Sequence, residues 1–181
     1  ERFRRPIITL IDVVGAYPGI EAEQRGQGLV IAECIEQMSF LEVPIICIIT
    51  GEGGSGGALA IGVGDRILML EHAWYSVISP EMCATILWKD VNKAADAAEL
   101  LRLTSTDLLK FGIIDDVVTE PIGGAHRDHE GTGRQIKAFL RRHLSEIRKV
   151  PTDELVRFRL ERFRKIGEYQ TKKLSETQVE L

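Results

Sequence analysis

Cysteine is scarce in this chain: Cys34, Cys47 and Cys83 are three residues, odd in number and widely spaced. That spacing excludes a disulfide framework and the paired Cys-x-x-Cys pattern of a zinc module, and it fits a reducing compartment. Long apolar runs are missing as well. No stretch approaches the roughly 20 residues that a membrane-spanning helix needs, and no secretory leader pattern opens the chain. Charge of one sign is not in excess, because 23 Lys and Arg against 27 Asp and Glu leave a net −4. So weak an imbalance gives no electrostatic reason for a nucleic-acid or membrane partner. The Gly-Lys-Ser/Thr ending of a phosphate loop does not occur. Internal repeats, low-complexity segments and an initiating Met are also absent. The chain opens Glu1-Arg2-Phe3-Arg4-Arg5 and enters a strand almost at once, which reads as part of a longer chain.

What is present suits a soluble domain. The 181 residues are enough to bury a real core, with 44% hydrophobic and 28% charged residues in ordinary globular proportion. Glycine, at 17 residues, exceeds the usual roughly 7% and clusters, marking tight turns.

The patterning alternates strands and helices. Pro6 to Ile11 is a short β-branched run, read as a buried strand, and Asp12 to Gly19 must be loop. Glu21 to Phe40 places Ile31, Cys34, Ile35 and Met38 on one face at helical spacing. Pro44 to Thr50 is fully apolar, as in a parallel strand covered on both faces, with Cys47 as a small core residue. Gly51 to Gly57 is a Gly-rich turn and Ala58 to Val63 a short helix. Strands follow at Arg66 to Leu70, Trp74 to Ile78 and Ile113 to Val118. Helices are expected over Pro80 to Trp88, Ala94 to Leu103 and Ser105 to Phe111, with Pro121 to Gly131 as loop. Arg134 to Lys149 and Thr152 to Tyr169 read as amphipathic helices split by Pro151. This order is α/β. The last two helices have little sheet to pack on and are expected to cover a partner or extend outward. The Arg- and Lys-rich stretch from Arg134 to Lys173 reads as a solvated helix or as a binding face for an acidic partner.

The turn Thr50-Gly51-Glu52-Gly53-Gly54-Ser55-Gly56-Gly57-Ala58 carries the chemistry. Glycine permits φ > 0 and close approach of a ligand. Backbone N–H groups at the following helix start favour a phosphate or a developing oxyanion. Gly51-x-Gly53-x-x-Gly56, with Glu71 about where a ribose-binding acid belongs, matches the dinucleotide fingerprint, though the following helix is soon interrupted by Gly62 and Gly64. Gly53-x-Ser55-x-Gly57, with Asp115 and His126 in chain order, matches a nucleophile elbow. A purely structural turn is the bland alternative, and so many glycines in one turn, each costing entropy on folding, weigh against it.

Several long stretches in one order are more specific than any single pattern. Ile11-Asp12 with Gly15-Ala16-Tyr17-Pro18-Gly19 and Glu23-x-Arg25-Gly26-Gln27, then Gly51 through Asp65, then Tyr75 to Glu81 with Ile86-Leu87-Trp88-Lys89, then Gly123 to Arg127, resemble the α subunit of acetyl-CoA carboxylase carboxyltransferase. Val13-Val14 stands where the family pattern has Thr-Pro. The resemblance implies a crotonase-like (ClpP/crotonase) fold of repeated β-β-α units over residues 1–131, with a C-terminal helical extension over 132–181. It implies carboxyl transfer from carboxybiotin, held on a separate carrier protein, to acetyl-CoA, giving malonyl-CoA for fatty acid synthesis. Gly56, Gly57 and Ala58 would offer backbone N–H groups as an oxyanion hole. Gly15, Gly19, Ile20, Gly53 and Gly54 would lie on the carboxybiotin side. Implied partners are a zinc-containing β subunit, which supplies the acyl-CoA side, and the biotin carboxyl carrier protein, in an α2β2 hetero-oligomer of the cytoplasm or, in a plant, the plastid stroma. No metal is expected in this chain.

Rival functions are a related biotin-dependent acyl-CoA decarboxylase subunit, a non-catalytic assembly subunit and a dinucleotide-binding oxidoreductase. Among other polar residues, His126, Asp128, His129 and Glu130 suggest a metal site less readily than a polar loop. Glu52 and Glu81 read as solvated or capping, and Tyr75 and Trp88 as core or interface residues.

Overall fold

The computed structural model describes residues 1–167. Its framework is a five-stranded sheet in which every pairing between strands is parallel. The strands are β1 (Ile7–Val13), β2 (Ile45–Gly54), β3 (Arg66–Leu70), β4 (Trp74–Ser76) and β5 (Asp116–Val118), in the order β1-β2-β3-β5 with β4 also paired to β2. The long central strand serves two neighbours on the same side. Its first half, Ile46 to Ile49, pairs with β3, and its last residues, Glu52 to Gly54, pair with β4. Ile45 to Ile49 are fully buried, as the apolar run requires when helices cover both faces of a parallel sheet. Cys47 lies among them, and burial pushes its thiol up to about 11, which makes it an inert core residue.

β1 is less buried than its composition suggests. Only Ile11 is enclosed, while Ile8 and Leu10 are 38% and 61% exposed. Ile8 and Leu10 share one face of the strand, and no element among the described residues covers that face. The helical reading of Glu21 to Phe40 is correct in type but divided in two. Gly26 adopts φ +74 and separates α1 (Ile20–Gln24) from α2 (Gln27–Phe40), because a left-handed residue cannot continue an α-helix. Ile31, Cys34, Ile35 and Met38 do form the inward face of α2.

Further along, α3 (Ser55–Leu59), α4 (Pro80–Trp88), α5 (Ala94–Leu101) and α6 (Ser105–Lys110) follow. The hydroxyls of Ser79 and Thr104 cap α4 and α6 by accepting the Met82 and Asp107 N–H groups. α7 (His129–Ile147) and α8 (Thr152–Arg164) complete the described chain. The expected continuation of the last helix through Tyr169, and of the basic stretch through Lys173, lies outside the described residues.

The expectation that these two helices leave the sheet is corrected. Ile147 and Leu155 enter the main core, and α8 is tied under the N-terminal ends of the strands by two arginines. Arg159, with a side chain 0% exposed, forks onto Asp65 at 2.9 and 3.0 Å. It also donates to the carbonyls of Met38, Leu41 and Val43, closing the end of α2. One turn later, Arg162 bonds Asp115 at 2.7 Å. Each aspartate in turn accepts an N–H from the neighbouring strand, Asp65 from Ile45 and Asp115 from Ile67. The same carboxylate device thus recurs at the start of β3 and just before β5, and α8 locks both.

Candidate functional site

The site is built at the opposite end of β2, where the strand passes straight into α3. The Gly-rich segment is less of a turn than its composition implies: Gly51 to Gly54 are strand, and the helix starts at Ser55. The register shifts between Ile11 and Val13, where β2 bulges and sets Thr50, Gly51 and Glu52 against Asp12 alone. The Asp12 carboxylate then accepts the Glu52 N–H at 2.9 Å, and the Thr50 hydroxyl donates to the Ile11 carbonyl at 3.2 Å. These bonds fix the end of β1 against the end of β2 and deliver the Val14–Tyr17 loop onto the start of α3.

Glycine serves close approach here. Gly54 has φ −102, and the left-handed residue of the junction is Ser55, at φ +50. A Cβ on Gly54 would overlap the Val14 carbonyl oxygen. On Gly57 it would lie 2.8 Å from the Gly15 carbonyl carbon and 3.0 Å from the Ala16 nitrogen. The loop after β1 therefore rests directly on the first turn of α3, at distances only hydrogen allows. No side chain caps α3, and the N–H groups of Ser55, Gly56 and Gly57 have no carbonyl four residues back within the helix. Gly15, Gly54 and Gly57 are thus brought together. Gly56 turns toward Ile31, 3.5 Å from where its Cβ would stand. Ala58 is fully buried. Gly53 is buried in the strand between Val13 and Tyr75. Gly19 caps α1 beneath the Tyr17 ring, and Ile20 beside it is 79% exposed.

Two cavities flank this junction. One, of about 530 Å³, is lined by Gly15, Tyr17, Arg25, Gln27, Ile31 and Gly57. The other, of about 380 Å³, is mainly apolar and bounded by Ser55, Gly56, Leu59, Tyr75, Leu101 and Leu108. Both volumes fall within the range of small-molecule sites. Burial raises the Tyr75 hydroxyl above its usual 10.0 and keeps it neutral. Leu101 carries no chemical signal in the sequence and Tyr17 only its place in the Gly15 to Gly19 stretch; both line these walls because the fold brings them there.

The rival motifs separate on geometry. Ser55 has the strand-to-helix position of a nucleophile elbow, yet Asp115 is engaged with Ile67 and Arg162 at the other end of the sheet. His126 sits in a short 3-10 turn over Ala125–Arg127. The first glycines of the dinucleotide pattern fall inside β2, and α3 has only five residues. Glu71 is spent on the Glu120 N–H. Asp128 caps α7 through the Gly131 N–H, and Glu130 pairs with Arg134. Among the described residues no cluster of His, Cys, Asp and Glu is disposed to hold a metal, and no helix is long and apolar enough to cross a membrane. Glu81 stands in the first turn of α4, where its charge suits the helix end, and the Trp88 ring receives the Lys93 ammonium at 5.7 Å.

Comparison with known proteins adds lineage to this geometry. Residues 1–167 match the family described as acetyl co-enzyme A carboxylase carboxyltransferase-like. The acetyl-coenzyme A carboxylase carboxyl transferase subunit alpha of Xanthomonas campestris pv. campestris is 58% identical over 170 residues, covering 94% of this chain and 53% of that protein. The chain therefore spans about half the length of the curated relatives it matches. Among solved structures, a Pseudomonas malonate decarboxylase hetero-dimer superposes with a TM-score of 0.70 at 17% identity, covering 88% of this chain and 65% of that one. A probable enoyl-CoA hydratase from Mycobacterium thermoresistibile gives 0.53 at 18% identity, covering 88% and 68%. At these identities the likeness concerns the fold, which is crotonase-like.

Proposed function

The chain belongs to the acetyl co-enzyme A carboxylase carboxyltransferase-like family, and on that premise we propose that it forms the carboxybiotin half of a carboxyltransferase centre that makes malonyl-CoA from acetyl-CoA. Biotin, on a separate carrier protein, supplies the carboxyl group. This chain's own task is to hold hydrogen-bond donors where negative charge develops on the ureido oxygen. Fixed N–H groups do this without a titratable group and without reorganisation during the reaction. The candidates are the N–H groups of Gly56, Gly57 and Ala58, with the loop of Gly15, Gly19 and Ile20 closing the pocket and Gly53 and Gly54 shaping its floor. The acyl-CoA side belongs to a zinc-containing β-type subunit in an α2β2 assembly. The setting is the cytoplasm, or the stroma in a plastid. In this reading residues 1–131 carry the transferase fold, and the helical extension that follows packs onto its core through Ile147 and Leu155.

One observation carries the assignment: the Gly15–Ala16 backbone lies so close to Gly57 that a Cβ would stand 2.8 Å from it. Two chain segments, each able to present N–H groups, are thereby held side by side at the mouth of a cavity. The room for a flat ureido group is the cavity beside this contact, lined by Gly15, Tyr17, Gln27 and Gly57. Reconstitution with a β-type subunit and biotinylated carrier protein tests the reading. Carboxyl transfer should require both proteins, and the chain alone should not turn over malonyl-CoA with biotin. Turnover by the chain alone would overturn the division of the site between subunits.

A further inference from the structure

At the end of the sheet remote from the Gly54–Gly57 junction, α7, α8 and the starts of β3 and β5 enclose a second kind of cavity. Its volume is about 340 Å³, and the length of β2 puts it on the order of 30 Å from Gly57. Part of its lining is apolar, with Ile147, Leu155 and Phe158, and the rest is charged, with Arg66, Arg162 and Lys165 beside Asp65, Asp115 and Glu161. We propose that this cavity binds a phosphate-type oxyanion.

The argument rests on which charges are already matched. Asp65 and Asp115 line the cavity, but Asp65 holds the Arg159 fork and the Ile45 N–H. Asp115 holds Arg162 and the Ile67 N–H, both on Oδ2. Glu161 is taken by Arg157. The cations are matched less completely. Arg162 spends Nη2 on Asp115 and the Ile113 carbonyl, while its Nη1 is buried with no hydrogen-bond partner. Arg66 gives one N–H to the Asp65 carbonyl, and among the described residues neither Arg66 nor Lys165 pairs with a carboxylate. A buried guanidinium N–H without an acceptor leaves the Arg162 charge undercompensated. An anion that accepts from Arg66 and Lys165 places negative charge beside that guanidinium, whose enclosed Nη1 it does not touch. The apolar wall leaves room for the organic body of a phosphate monoester.

The full chain should be titrated with inorganic phosphate and, separately, with phenyl phosphate, each against sodium chloride of equal ionic strength. Calorimetry and thermal unfolding report binding. Saturable binding that raises the unfolding temperature is expected. Tighter binding of phenyl phosphate would identify a monoester site, and equal binding a site for the free ion. Arg162 also holds Asp115, so the diagnostic variants are Arg66→Gln and Lys165→Gln, which leave the Arg159 and Arg162 pairs in place. Each should weaken binding about tenfold while unfolding as the parent does without phosphate. Absence of saturable binding by either probe, or binding that both variants leave unchanged, would overturn the proposal and make this a cavity filled by water.

Discussion

Replacing Arg159 by Met tests the most consequential contact in the fold. The guanidinium is fully enclosed and meets Asp65, itself 5% exposed, through N–H bonds of 2.9 and 3.0 Å. It also satisfies the carbonyls of Met38, Leu41 and Val43 at 2.8, 2.8 and 3.0 Å. Methionine fills much of the same space but offers no donor. Asp65 would then keep only the Ile45 N–H, and the end of α2 would lose its cap. Removing one member of a buried pair costs about 3–5 kcal/mol, because the remaining charge has nowhere to go. That is a large share of the roughly 5–15 kcal/mol that holds a domain folded. At roughly 2–4 °C per kcal/mol for a chain of this size, the unfolding temperature should fall by about 6–20 °C. Differential scanning calorimetry measures it. The double variant Asp65→Asn, Arg159→Met should regain part of the loss, since the buried charge is gone while an oxygen remains for Ile45. A fall of less than about 2 °C, or no recovery in the double variant, would refute the reasoning.

Other outcomes follow from the same contacts. Burial, then the nearby Arg142 charge, hold the His143 imidazole below its usual 6.5, so the unfolded chain takes up that proton first. Stability should therefore fall as pH drops through 6.5 and below, and His143→Gln should flatten the profile of unfolding temperature between pH 5 and 8; a gain in stability on acidification would contradict this. Gly54→Ala forces a methyl into the Val14 carbonyl, and the denaturant midpoint should report a loss of about 1–3 kcal/mol; an unchanged midpoint would show that the loop yields freely. Ser55→Ala should retain transfer activity in the reconstituted complex, since the site relies on backbone donors. A loss beyond roughly a thousandfold with the fold intact would restore the nucleophile reading.

Much of the fold is legible in the sequence where local pattern decides the outcome. The apolar run at Pro44 to Thr50, the strand at Arg66 to Leu70 and the helix from Pro80 to Trp88 are found where the local pattern places them. What is not legible depends on distant partners. The basic face of α8 looks solvated in isolation, because nothing in its spacing says that Arg159 will meet Asp65, ninety-four residues earlier in the chain. The β-branched run of β1 gives no sign that the face carrying Ile8 and Leu10 stays uncovered. At the candidate site, the composition of the Gly-rich segment is informative but its reason is not. Glycine suggests positive φ, whereas the structure assigns that conformation to Ser55 and uses Gly54 and Gly57 to let another backbone approach. Such proximity is invisible in a single sequence, since Val14 to Ala16 lie some forty residues away.

The central claim is that the first turn of α3, pressed against the Gly15 loop, stabilises the oxyanion of carboxyl transfer. Gly57→Val tests it most directly, because a branched side chain must displace the Gly15–Ala16 backbone that now lies about 3 Å from the Cβ position. The measurement is kcat per mole of assembled complex, with biotinylated carrier protein and a β-type subunit present and assembly checked by size-exclusion chromatography. Misplacing one donor is expected to lower kcat by about two orders of magnitude or more, with assembly largely intact. Near-normal turnover in fully assembled Gly57→Val complex would contradict the account and place the oxyanion site elsewhere.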